Sequence, residues 1–134
     1  MYFPVYVPCH RLSSGCQVVG GAVVAAGPAG VPRLTLNRAT GFWARLCGLH
    51  AWPILSGHSG LWLHPCNAVH SFGLSYEIDL VFLGARREVL KTVHSLASNR
   101  VAFCLLARSV VELPAGYCKA YPSYPLAISR ALVE

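Results

Sequence analysis

The residues able to do chemistry in this chain of 134 gather between positions 64 and 79. His64, Cys66 and His70 fall within a stretch of seven residues. Thiolate and imidazole are donors that zinc and copper take, so these three are the candidate metal ligands. A structural zinc site wants four well-spaced ligands, and no second Cys/His pair follows. Cys66 and His70 could also form a nucleophile–base pair, with Asp79 or Glu112 as the general base or orienting carboxylate. No GxSxG, P-loop, GxGxxG or HExxH pattern accompanies them.

Acids are scarce, only five in all. Asp79 stands between Ile78 and Leu80, and Glu112 between Val111 and Leu113. A carboxylate in such surroundings must find donors or its pKa rises. Each has two open roles. It either accepts backbone N–H groups or pairs with an arginine such as Arg45, or it serves as general acid or base in a cleft. Glu77 and Asp79 are expected on one face of a strand. The candidate ligand pocket is therefore Arg45, Cys66, His70, Asp79 and Glu112.

Alternation and turn signals around these residues predict strands at 33–37, 61–64, 76–83, 88–94, 101–106 and 109–113, with 126–133 as a closing strand. Positions 64–71 read as a polar turn broken by Pro65. Thr40 is placed as the N-cap of a helix to about His50, with Phe42, Leu46 and Leu49 as its buried stripe. Residues 114–116 end a strand and start a helical turn. The fold class is mostly β, a small sandwich- or barrel-like domain with one short N-terminal helix. Trp43, Trp52 and Trp62 read as core or core rim. Tyr117, Tyr121 and Tyr124, with Pro122 and Pro125, form an exposed edge for a partner.

Composition bounds the rest. Apolar residues make up 54% and charged ones 12%, about half the ~25% of ordinary domains, which excludes disorder. No apolar run reaches the roughly 18–20 residues of a membrane span. The net charge of +6 is spread over nine arginines and two lysines, with only Arg86 and Arg87 adjacent. Without basic clusters interleaved with aromatics, nucleic acid is not an expected partner. The six cysteines show no CxxC spacing and read as reduced thiols, so the protein is expected in the cytoplasm. Residues 1–33 read as a loosely docked extension before a domain at 34–134. If 1–26 were instead a signal peptide, the protein would be exported.

Residues 34–116 resemble the bacterial and archaeal family known as domain of unknown function 192 (DUF192). The matching elements are 42–49 (FWARLCGL), 60–63 (GLWL), 65–70 (PCNAVH), 78–83 (IDLVFL), Val89 with Leu90, and 110–116 (VVELPAG). The resemblance implies a small, mostly-β sandwich with one short helix. It implies no activity, and its branch often accompanies bacterial pilus or secretion gene clusters. Two departures stand out. Leu74 replaces a Met that usually follows the histidine, and Ser123, Tyr124 and Pro125 replace a Gly-Asp pair before the last strand. The expectation is a non-enzymatic accessory or binding domain with no cofactor, engaging an unknown protein partner or a small ligand. The alternative is a metal-binding or hydrolytic protein built on Cys66 and His70.

Overall fold

The computed structural model of the protein describes residues 30–39 and 57–133. Its centre is set by two strands that are almost wholly buried. Ile78–Leu83 (β4) is buried at all six positions, and Ser109–Pro114 (β7) at its first five. A strand apolar on both faces needs a layer on each side, and both layers are present. The other strands are β1 Thr35–Ala39, β2 Ser59–Leu63, β3 Ala68–His70, β5 Val89–Leu96 and β6 Val101–Phe103. A five-stranded sheet runs in the order β1-β2-β7-β4-β5, and a two-stranded sheet pairs β3 with β6. Only β1 and β2 pair in parallel; the other described pairs are antiparallel.

Period-2 alternation sorts the side chains of the large sheet into two cores. On one face Leu61, Leu63, Ile78, Leu80, Phe82 and Val110 pack with Cys66, Val69, Leu74 and Ala102 beneath the small sheet. On the other, Trp62, Val81, Leu83, Val111 and Leu113 pack with Val31, Leu34 and two helices, Tyr117–Ala120 (α1) and Tyr124–Val133 (α2). Gly60 permits the close approach of β2 to β7. A Cβ there would stand 2.8 Å from both the Glu112 carbonyl oxygen and Leu113 Cδ2.

The mostly-β class is as expected, and six of the seven predicted strands appear with shifted ends. Three readings change. Residues 126–133 are not a strand but most of α2. Tyr124, Ala127, Ile128 and Ala131 recur at helical spacing, and all four pack in the second core. The supposed polar turn contains β3, buried throughout, because Ala68, Val69 and His70 pair with Phe103, Ala102 and Val101. Val31, assigned to the extension, is 4% exposed in the second core. The helix expected over 40–50, with Arg45, Trp43 and Cys47, lies outside the described residues, as do Trp52 and residues 1–29.

Candidate functional site

The strand registers decide which candidate residues meet. Glu112 of β7 lies opposite Leu61 of β2 and Leu80 of β4. Directly paired residues share a face, so Glu112 belongs to the side of the small sheet. Asp79 lies opposite Leu113 and belongs to the helical side. The two carboxylates, each fully buried, are thus back to back across the same sheet. The single pocket expected from the sequence is divided: Cys66 and Glu112 belong to the side of the small sheet and Asp79 to the other, while His70, opposite Val101 and alternating with core-facing Val69, lies on the outer face of the small sheet. Glu77 does not join Asp79, because it precedes β4 and is exposed.

Asp79 organises backbone. Its Oδ1 accepts the N–H groups of Ser95 at 2.8 Å and Gly116 at 3.1 Å, and its Oδ2 accepts that of Cys118 at 2.9 Å. Ser95 sits where the β4–β5 register slips between Ile78 and Leu80, with a left-handed φ of 48°. That bulge turns its N–H out of the ladder and onto the carboxylate. Gly116, with φ 80°, starts α1 and offers no side-chain cap of its own. One carboxylate therefore closes a bulge and caps a helical turn. Beside it, burial and then the Asp79 charge push the Cys118 thiol up to about 12. Burial, followed by the neighbouring Tyr121 and Cys118, pushes the Tyr117 phenol to about 12 as well.

On the other side, the Cys66 thiol donates to the Ala68 carbonyl oxygen at 3.2 Å. The His70 ring lies 4.7 Å from that of Phe72. Tyr76 packs against the core on this side, where burial and then the charge of Glu112 raise the pKa of its phenol. Asn67, next to Cys66, keeps a buried side-chain oxygen with no hydrogen-bond partner among the described residues. His64 does not join this group. Its ring lies 5.3 Å from Trp62, whose side chain faces the helices. Among the described residues no three His, Cys, Asp or Glu side chains gather closely enough to hold a metal ion.

Ser71 and Asn67 belong to the turn at 64–71 but are not among the candidate pocket residues. Ser71 is fully buried, donates its hydroxyl to the Ala97 carbonyl oxygen at 2.5 Å and accepts the Arg100 N–H at 2.9 Å. It clamps the loop that leads into β6. A serine after a histidine carries no signal for either role, since both partners lie more than twenty residues away. The tyrosine edge also differs: Tyr117 is 4% exposed and Tyr124 is half-buried, its hydroxyl bonded to Thr92 at 2.7 Å. Of its tyrosines Tyr121 alone is open, at 36%, together with Pro122 and Pro125. Cys66, Cys104 and Cys118 are free thiols.

No protein-family model matches the chain, and no curated protein matches it. Two solved structures share its fold. A candidate transcription regulator from Sinorhizobium meliloti 1021 superposes with a TM-score of 0.58 at 16% identity, covering 65% of this chain and 73% of the other. A protein of unknown function from Novosphingobium aromaticivorans DSM 12444 gives a TM-score of 0.58 at 15% identity, covering 81% of this chain and 92% of that one. At such identity the likeness is one of fold.

Proposed function

We propose that the protein is a non-enzymatic binding domain of DUF192 type. Its ligand or partner is held at the small sheet, around Asn67, Cys66, His70 and Glu112. The observation that carries this reading is the Asn67 side-chain oxygen, buried with no hydrogen-bond partner among the described residues. Such an acceptor costs roughly 1–3 kcal/mol unless a donor reaches it, and a bound N–H or O–H group would supply one. Catalysis has less support. Asp79 is committed to three backbone N–H groups on the opposite face, and the Cys66 thiol is spent as a donor to Ala68. An accessory role in a pilus or secretion assembly belongs to the same reading and rests on the sequence resemblance. The Sinorhizobium neighbour's description points to regulation of transcription. Here the exposed basic residues are dispersed over strands, turns and helices, which favours leaving nucleic acid out.

The test is a fragment screen read by amide chemical shifts. Hits bearing an N–H or O–H donor should move the Asn67 side-chain signal and the amides of Ala68–His70, and should lose that effect in Asn67→Leu. Hits that never reach this patch would overturn the reading. So would one equivalent of zinc or copper in the native protein that is lost from a Cys66→Ser/His70→Ala variant.

A further inference from the structure

The β6 strand and the turn after it carry an exposed apolar surface that no other described element covers. β6 alternates exposed, buried, exposed. Val101 and Phe103 are 58% and 56% exposed, while Ala102 points into the core. The turn that follows is closed by the Ala107 N–H on the Cys104 carbonyl oxygen at 2.9 Å, and it lifts Leu105 and Leu106 to 62% and 80% exposure. Single exposed apolar residues are ordinary, but a run of large ones in a single protrusion is not.

Cations frame this protrusion. Arg100 and Arg108, both exposed, flank it in the chain. Lys91 reaches over from β5, its Nζ donating to the Phe103 carbonyl oxygen at 3.1 Å and lying 5.7 Å from the Phe103 ring centre. No acidic residue occurs from 89 to 111. Across the described residues nine exposed side chains are basic and two, Glu77 and Glu88, are acidic.

We propose that this face docks on an anionic phospholipid surface. Leu105 and Leu106 enter the boundary between headgroups and acyl chains, and Arg100, Arg108 and Lys91 lie on the headgroups. A lipid surface rewards both halves of the arrangement: apolar insertion supplies non-directional affinity, and each basic residue near an acidic leaflet adds roughly fivefold. A nucleic-acid interface is polar and stacks bases on aromatic rings, which leaves the adjacent leucines without a role. The proposal needs none of Asn67, Cys66, His70 or Glu112; Val101 lies opposite His70 in the small sheet, but the inserting residues Leu105 and Leu106 lie in the turn beyond it.

The experiment is co-sedimentation of the full chain with vesicles of phosphatidylcholine alone or mixed with phosphatidylglycerol, at low and at raised salt. The expected result is binding to the mixed vesicles that weakens with salt. A Leu105→Ser/Leu106→Ser variant should bind at least about tenfold more weakly, and Arg100→Gln/Arg108→Gln several-fold more weakly, both with unchanged melting temperature because the substituted side chains are exposed. No association with the mixed vesicles overturns the proposal. Equal binding to neutral vesicles, or undiminished binding by the leucine variant, also overturns it. Two further outcomes would replace it: a dimer dissolved by the leucine substitutions without vesicle binding, which assigns the face to a second copy, and retention by duplex DNA in place of vesicles.

Discussion

Replacing Asp79 is the most informative single perturbation, because one side chain holds three separated backbone sites. A hydrogen bond to a charged group contributes roughly 1.5–3 kcal/mol, so three amount to about 4.5–9 kcal/mol before costs. Burying the carboxylate offsets several kcal/mol of that. Asp79→Ala should therefore lose about 2–4 kcal/mol, equivalent to a fall in Tm on the order of 10 °C for a domain of this size. Asp79→Asn keeps the shape but turns an amide –NH2 toward backbone N–H donors, so it should lose most of the same amount. The assay is urea unfolding followed by indole fluorescence, compared at constant m-value. Amide exchange supplies the local check, with Ser95, Gly116 and Cys118 losing protection together. Both variants lying within about 0.5 kcal/mol of the native protein would refute the reasoning and make Asp79 available for a functional role.

Three further outcomes follow. Gly60→Ala forces a Cβ to 2.8 Å from the Glu112 carbonyl oxygen and Leu113 Cδ2. It should cost about 1–3 kcal/mol in the same urea assay, and an unchanged midpoint would mean that β2 shifts freely against β7. The Cys118 thiol is raised from 9.0 to about 12, so the unfolded chain gives up that proton first. Stability should accordingly fall as pH rises from about 9 towards 12, and Cys118→Ala should make the decline shallower. At pH 8 a thiol reagent should leave Cys118 unmodified in the native protein and label it after unfolding.

What could be read from the chain beforehand follows a physical division. The strands at 76–83 and 109–113 were plain because a largely apolar run bounded by turn residues has few alternatives. The segment 126–133 misled because Leu126, Ile128 and Val133 have strand propensity, while the helical stripe through Ala127 and Ala131 rests on two small side chains. β3 was hidden by Pro65 and by its shortness; pairing with β6 more than thirty residues on makes it a strand. Asp79 was identified as a possible acceptor of backbone N–H groups, and the structure supplies three. Its separation from Glu112 was out of reach. The parity that places them on opposite faces depends on the β4–β7 register, a long-range property no local pattern encodes.

β7 lies between β2 and β4 in the sheet although it follows both in the chain. During synthesis, the ribosome releases β1 with β2 and β4 with β5 as separate halves, each with an open inner edge. Neither half can be joined until residues 109–114 emerge as the central splint. Asp79 waits longer still, since two of its three donors, Gly116 and Cys118, are made after that strand. Closure by a late, distant element favours slow, all-or-none assembly. A nascent chain stalled before residue 109 would present two unpaired edges, the feature that chaperones recognise and that aggregation exploits.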